Sequence, residues 1–395
     1  MMESERKTVV VVGGPIEQKL DPVLRVVPIG NGQLAKDIAK ELAKAFIVKK
    51  IGNFPGTKEK SCFDDIKKTL TAMERPDAVV FLASLPNVLF DFSPEKIRAR
   101  PGEVGRISYQ GAEKLVESIK KQHRATLLVP FKLADQNMTK VEIVKWMLNL
   151  GSGLAVYSRL GGPSRTYWII DVFGNETQVA KENLPSALAK QLEHYLRAVR
   201  RSTLFVCEYR FSLPHFPAFR QFIDDASKSN AFKQMAERNV NSGRWPGNIS
   251  SRMTPKSFAV SKRNVDKSAI SGKDFVWVGL DLDQNNRIRY WSEKEEVKPS
   301  TDAPVHRVVY AGLPWVKHIV HGHADLKAAD FLHPESLTFW PCGSENEGYE
   351  IVAAAPKMMD YSLWAVNIKG HGFVALIGDE DPAQALQTLA EHLQK

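Results

Sequence analysis

Apolar positions in the first half of the chain recur with two different periods, which predict strands followed by helices. Val9 to Val12 form a short β-branched run that stops at Gly13-Gly14-Pro15, as a buried strand ending in a turn does. At 33–46 the apolar residues recur every four positions, along one stripe of a helix. Further spacing predicts a strand at 78–82, a helix at 111–121 and a strand at 125–130. This alternation favours an α/β domain with a parallel sheet and helices on both faces.

In the second half, one apolar run predicts a strand that presents two histidines. The segment Val316 to His323 is rich in β-branched residues. Residues two apart on a strand project from the same face, so His321 and His323 are expected to point to one place. His371 stands between two glycines after the apolar run Leu363 to Ile368, which predicts a tight turn presenting a third imidazole. Three imidazoles with one open position are typical of a catalytic zinc site, with another divalent metal as the alternative.

Three further histidines are expected to have other roles. His318 falls on the opposite face of the predicted strand from His321 and His323, and His306 is expected to pack or to support a ligand. His333 is expected to be unrelated to the metal site.

Composition and charge narrow the class of protein. The chain has 395 residues, 43% of them hydrophobic, and a net charge of +9 that is spread along its length. These values predict two or three globular domains and attraction of small phosphorylated metabolites, and they disfavour a nucleic-acid partner. No apolar run is long enough to span a bilayer, and the first residues lack the pattern of a signal peptide. Three widely separated cysteines fit a reducing compartment, so we expect a cytoplasmic protein without a membrane partner.

A change in pattern near residue 205 predicts the boundary between two domains. The apolar run within 203–215 gives way at Pro214 and is either the last strand of the first domain or a strap between domains. We place one domain at 1–205, a linker at 206–215 and a second domain at 216–395. The joint has no long Gly/Ser tract, so it is not expected to be a flexible tether.

Local patterns between residues 8 and 200 follow one another in a specific order. They are Gly13-Gly14-Pro15, Ile29-Gly30-Asn31, the ASLPNVL segment after the second predicted strand, Lys96-Ile97-Arg98, Val129 to Leu133 and a YWIIDVFGNETQVAK segment at 167–181. In order and spacing they resemble the phosphopantothenate–cysteine ligase family of coenzyme A biosynthesis, which corresponds to the C-terminal part of the DNA/pantothenate metabolism flavoproteins. The resemblance implies a Rossmann-like domain.

The ligase resemblance also implies a site, which this chain has altered. Gly13, Gly14, Asn31 and Lys96 match the residues that handle the nucleotide or the acyl intermediate, with Lys96 as a catalytic residue and a nucleoside triphosphate as the ligand. The family's NRSSGKMG loop is replaced by NGQLAKDIA, which removes both glycines of that loop. Ligase chemistry is therefore one hypothesis, and an inherited scaffold with a degenerate nucleotide loop is the other.

The second half carries a denser series of motifs. They are GNISSR at 247–252, Phe258 to Ser261 leading to Asp266-Lys267, the strand Phe275 to Val278, KPSTD at 298–302 followed by His306, HGHA at 321–324 and KGHGFVA at 369–375. Over residues 230–395 these motifs resemble the class II aldolase and adducin family, including its methylthioribulose-phosphate dehydratases. The resemblance implies an α/β/α domain that assembles as a homo-oligomer, with zinc on His321, His323 and His371. It also implies that substrate phosphate binds at Asn248, Ser261, Ser300 and Thr301.

The resemblance gives Asp302 the place of a catalytic glutamate that moves a proton beside a carbonyl group. Aspartate keeps the carboxylate but is one methylene shorter. Two reactions fit a phosphorylated, sugar-like substrate, namely aldol cleavage and dehydration, and the sequence does not separate them. The alternatives are a ligase acting through the first domain and a non-catalytic interaction protein of the adducin type.

Overall fold

The computed structural model describes residues 8–14, 16–18, 27–29, 32–56, 63–73, 78–84, 126–134, 138–149, 152–159, 166–198, 205–209, 217–228, 245–284, 287–294, 297–357, 362–379 and 381–394. The chain divides into two compact units, Met1–Arg197 and Ala198–Lys395. None of the helices in these ranges has the length and apolar character needed to cross a membrane.

The first unit is built on a seven-stranded sheet. Its strands are β1 (Thr8–Gly13), β4 (Ile47–Gly52), β5 (Ala78–Ser84), β6 (Thr126–Ala134), β7 (Leu154–Arg159), β8 (Thr166–Asp171) and β9 (Glu176–Ala180). A separate short hairpin joins β2 (Ile16–Gln18) and β3 (Val27–Ile29). The helices are α1 (Gly32–Leu42), α2 (Phe63–Ala72), α3 (Lys140–Asn149) and α4 (Leu184–Ala198).

The strand order in this sheet is β4-β1-β5-β6-β7-β8-β9, and the first five strands are parallel. The predicted strands at 9–12, 78–82 and 125–130 are confirmed as β1, β5 and β6. The last two strands, β8 and β9, run antiparallel to their neighbours. The predicted helix at 33–46 is α1, which ends at Leu42 before a turn, and the predicted helix at 111–121 lies outside the described residues. The parallel sheet is present, while the Rossmann-like assignment stays a prediction.

The second unit is built on an eight-stranded sheet. Its strands are β10 (Phe205–Tyr209), β11 (Asn248–Thr254), β12 (Ser257–Ser261), β13 (Phe275–Leu282), β14 (Ile288–Trp291), β15 (His318–Gly322), β16 (Leu363–Ile368) and β17 (Gly372–Ile377). The helices are α5 (Pro217–Lys228), α6 (Ala303–Gly312), α7 (Glu345–Ala354) and α8 (Pro382–Glu391). The strand order is β10-β14-β13-β12-β11-β15-β17-β16, and only the β10–β14 pair is parallel.

Side chains along the central strands point alternately to the two faces of the sheet, and each face packs into a separate hydrophobic core. On one face, Val320 and Ala375 pack with residues of α5 and α8. On the other face, Ile319 and Val374 pack with residues of α6 and α7. The second unit is therefore a three-layer α/β/α structure, as predicted. The sequence placed 206–215 in a linker, but residues 206–209 belong to β10, because this strand pairs with β14 of the second sheet.

Candidate metal centre

Three imidazoles converge on the α6–α7 face of the second sheet. One ring nitrogen from each of His321, His323 and His371 lies within 4.8 Å of the other two. The ring centroids are 4.7–5.0 Å apart. His321 and His371 are buried, and burial lowers the pKa of His321 and of His323, with further lowering from the neighbouring histidines. Neutral imidazoles at this separation have the form and spacing in which histidine binds a divalent metal.

The tautomer of His321 fits metal binding. Its Nδ1 donates to the Phe373 carbonyl across the β15–β17 ladder, at 2.8 Å. This hydrogen bond places the proton on Nδ1 and leaves the Nε2 lone pair for a ligand. Nε2 is buried and has no hydrogen-bond partner among the described residues. A buried ring nitrogen in this condition is what a metal ligand requires, so the residues present fit a zinc or similar ion.

His371 reaches the same point from the turn between β16 and β17. The turn ends at Gly372, where φ is +116° and an added Cβ would lie 2.0 Å from the Gly322 carbonyl oxygen. Glycine is required there because β15 and the turn approach each other so closely. Beyond the trio, Glu347 Oε2 lies 3.7 Å from His371 Nδ1, and Cys342 Sγ lies 4.0 Å from its Nε2.

The Asp302 carboxylate is fixed beside the trio by two hydrogen bonds. Asn248 Nδ2 donates to Oδ2 at 2.8 Å, and the Gly343 backbone N–H donates to Oδ1 at 3.1 Å. Asn248 is in turn the direct cross-strand neighbour of His321. Asp302 is the N-cap residue of α6, but its side chain does not cap that helix. Both carboxylate oxygens are therefore bonded to groups outside α6.

Two charged residues of this region were not assigned a role from the sequence. Glu347, in the first turn of α7, is 3% exposed, and burial together with the Asp302 carboxylate raises its pKa to about 8. Lys267 is 2% exposed, and burial lowers its pKa to about 8 although Asp302 opposes this shift. A serine such as Ser344 at the start of the 344–347 pattern is typical of a helix N-cap, so the sequence predicts the start of this helix. In the structure Ser344 does cap α7 by accepting from the Asn346 N–H. The sequence could not have shown that the carboxylate at 347 faces His371.

The four residues expected to bind phosphate lie near Asp302, and three of them already bond within the protein. Asn248 donates to Asp302, Ser261 Oγ accepts from the Ile249 N–H at 3.3 Å, and Ser300 Oγ accepts from the Asp302 N–H at 3.4 Å. Thr301, in contrast, is exposed. Their assignment to phosphate stays a prediction.

The other histidines have structural surroundings. His318 stacks on Phe222 with ring centroids 3.9 Å apart, on the face opposite the trio. His306 is 1% exposed, and its Nδ1 is 2.7 Å from Ser250 Oγ. Burial lowers the pKa of His306 to about 3.

In the first unit, the described part of the expected nucleotide site consists of Gly13 and Gly14, which are buried at the end of β1. A Cβ at Gly13 would lie 2.6 Å from the Phe54 ring, so protein atoms occupy that space. Asn31 and Lys96 lie outside the described residues. The nucleotide site therefore stays a prediction.

Comparison with known proteins identifies the second unit. Residues 229–394 match the family described as "Class II Aldolase and Adducin N-terminal domain". Methylthioribulose-1-phosphate dehydratase of Acidiphilium cryptum (strain JF-5) is 32% identical over 110 residues, or 28% of this chain and 46% of that protein. The chain thus spans about half the length of this curated relative. The C-terminal region therefore carries a class II aldolase/adducin domain, which confirms the resemblance found in the sequence.

Two solved structures are similar at low identity. Escherichia coli YgbL is 16% identical, with 44% of this chain and 86% of that chain covered and a TM-score of 0.33. L-fuculose-1-phosphate aldolase from Thermus thermophilus is 19% identical, with 43% and 84% covered and a TM-score of 0.30.

Proposed function

We propose that the class II aldolase/adducin domain at 229–394 is a metal-dependent lyase, which removes a proton beside the carbonyl group of a phosphorylated, sugar-like substrate. The observation that carries the proposal is the convergence of three imidazoles, two of them buried, next to an oriented carboxylate. His321, His323 and His371 would hold the ion, with zinc as the expected metal. When bound, a divalent ion supplies a Lewis acid that polarises a carbonyl oxygen.

Asp302 is the proposed base. Hydrogen bonds from Asn248 and Gly343 hold its carboxylate in one orientation, so that no reorganisation is needed when the proton is taken. The aspartate is shorter than the glutamate that the family resemblance leads one to expect. The backbone N–H of Gly343 donates to the carboxylate of this aspartate and fixes the position of the carboxylate.

Between the two reactions left open by the sequence, we favour dehydration. Loss of water requires a base at one carbon and an acid that protonates the departing hydroxyl group. Glu347 is a second buried carboxyl group beside His371 and is the candidate for that acid. The dehydratase among the relatives supports the same choice. Aldol cleavage is the second candidate, because it needs the same two components, a polarised carbonyl and a base, with the base taking the proton of the hydroxyl group that becomes the new carbonyl.

The metal is tested first. The purified protein is expected to contain about one zinc or similar ion per chain by elemental analysis. The double variant His321→Ala/His323→Ala is expected to contain none, while His333→Ala, a histidine away from the trio, keeps the full content. Equal metal in all three proteins would show that the ion is held elsewhere.

The reaction is tested in deuterium oxide with a set of aldose and ketose phosphates. Proton NMR is expected to show metal-dependent exchange of the hydrogen beside the carbonyl group. Dehydration then gives a product of unchanged carbon number that has lost water, whereas aldol cleavage gives two carbonyl fragments. Absence of exchange, of dehydration and of cleavage with every member of the set, in a protein that contains the metal, would contradict the lyase proposal.

Two alternatives from the sequence have separate tests. Ligase activity in the first unit predicts binding of a nucleoside triphosphate that Lys96→Ala weakens. An adducin-type role predicts that the His321→Ala/His323→Ala variant keeps every function of the protein. Assembly into a homo-oligomer is a further prediction from the resemblance, which sedimentation would check.

A further inference from the structure

A buried ammonium group near the candidate metal centre has no anion in hydrogen-bond contact within the part of the chain that the structure describes. Lys267 begins a short 3-10 turn and is 2% exposed. Its Nζ donates to the Trp245 carbonyl oxygen at 3.1 Å, and this is its single hydrogen-bond acceptor within the described ranges. An ammonium group has three N–H donors, and a lysine cation is rarely buried without an anionic partner. The position is therefore one that an anionic ligand would complete.

The charge of Lys267 acts on the groups proposed to carry out the reaction. The Asp302 carboxylate raises the pKa of Lys267, and the ammonium group lowers the pKa of His323. Both effects require Lys267 to lie near the base and near a metal ligand. A ligand anion held by Lys267 would therefore lie beside the reacting centre.

The loop that carries Lys267 makes two hydrogen bonds with the backbone of Trp245. The Trp245 N–H donates to Asn264 Oδ1 at 3.0 Å, while the carbonyl of the same residue accepts from Lys267. Asn264 adopts a positive φ of 59°, which asparagine tolerates better than most residues. Residues 245–247 lead directly into β11 and Asn248. The ammonium group is thus tied to the segment that leads into β11, through the Trp245 carbonyl.

The donors first expected to bind phosphate carry no charge, whereas Lys267 does. One Asn248 amide N–H is given to Asp302, and the hydroxyl groups of Ser261 and Ser300, which accept backbone N–H groups, keep their own O–H as neutral donors. The buried Asn248 Oδ1 has no partner among the described residues, but it is an acceptor and cannot bind a phosphate dianion. It is suited instead to a substrate hydroxyl group.

We propose that Lys267 binds the phosphate group of the substrate, with Nζ donating to a phosphate oxygen. This inference rests on the proposed function for its substrate class. It places the main positive charge of the phosphate subsite on the 263–267 loop. A buried lysine with this role would lower the stability of the unliganded protein, because among the described residues its charge is opposed by the carboxylates of Asp302 and Asp266 but hydrogen-bonded to neither until the substrate binds.

Calorimetry on the metal-loaded full chain tests the assignment with two probes, inorganic phosphate and glycerol 1-phosphate. Lys267→Met and Lys267→Gln are expected to weaken binding of both probes by about 10- to 100-fold, since each removes a charge-assisted contact. Lys256→Met, which removes an exposed lysine of the β11–β12 turn, is the matched control and should bind as the wild type does. The unfolding midpoint of Lys267→Met is expected to equal or exceed that of the wild type, which a merely structural lysine would not give.

Unchanged affinity in both neutral variants, or no binding of either probe by the wild type, would overturn the assignment. The metal content and the solvent-exchange activity are measured on the same preparations. If these are normal while the variants keep their phosphate affinity, Lys267 alone is wrongly assigned. If the metal or the exchange is absent, the proposed function fails whatever the phosphate result.

Discussion

The turn at Gly343 gives a quantitative test of how the proposed base is held. Gly343 has a φ of +79°, its N–H bonds to Asp302, and an added Cβ would lie 2.5 Å from the Thr301 carbonyl oxygen. Alanine costs about 1–2 kcal/mol in the left-handed region. Relief of the contact with a backbone atom costs a further amount, about 1–3 kcal/mol. We therefore expect Gly343→Ala to lower the free energy of unfolding of the second unit by about 2–5 kcal/mol.

Urea denaturation followed by tryptophan fluorescence measures this loss. Six of the eight tryptophans lie in the second unit, so the signal reports mainly on its unfolding. Gly272→Ala is the matched control, because that glycine has no atom within 4 Å of an added Cβ and no positive φ. The control is expected to be neutral or stabilising by less than about 1 kcal/mol.

The Gly343→Ala variant also tests whether the position of the Asp302 carboxylate matters separately from the presence of the metal ligands. Gly343→Ala leaves every candidate metal ligand in place, so the metal content should stay complete while solvent exchange falls with the displaced carboxylate. If Gly343→Ala unfolds at the same urea concentration as Gly272→Ala, the close approach of Gly343 to the Thr301 carbonyl oxygen is wrong. Asp302 would then not be held in place by the turn at Gly343.

Three further outcomes are expected. Asp302→Asn should reduce solvent exchange at least about 100-fold with full metal content, and it should destabilise the second unit by about 1–3 kcal/mol in urea because an amide then faces the Asn248 donor. Burial lowers the pKa of His318 to about 4, so its imidazole is neutral when folded but protonated when unfolded between pH 4 and 6.5. The free energy of unfolding should therefore fall as the pH drops through that window, by at most about 3 kcal/mol, and His318→Phe should remove this component of the slope. Chelation of the metal should lower the thermal midpoint of the wild type but leave that of His321→Ala/His323→Ala unchanged, as scanning calorimetry would show.

Sequence periodicity predicts those features of the site that depend on residues close to one another in the sequence. The alternation along β15 predicts that His321 faces away from His318, and the glycines around His371 predict its turn. The pairing of Asp302 with Asn248, which are 54 residues apart, depends on how β11 and α6 pack and has no local signature. The proximity of Glu347 to His371 is likewise a property of the tertiary structure. For the same reason the sequence shows Lys267 as part of a motif but not as a charge near the proposed base.

The side chain of Asp302 does not cap α6, and this leaves its carboxylate available for the role of proposed base. An N-cap aspartate ordinarily turns back to accept from the N–H two or three residues further on. Here the residue two positions on is Pro304, which has no N–H to offer, so one of the two intrahelical competitors for the carboxylate is missing. Pro304 thereby leaves the Asp302 carboxylate available to hydrogen-bond partners outside α6. A substitution that restored a backbone N–H at 304 would offer the carboxylate a helix-capping bond in competition with those partners.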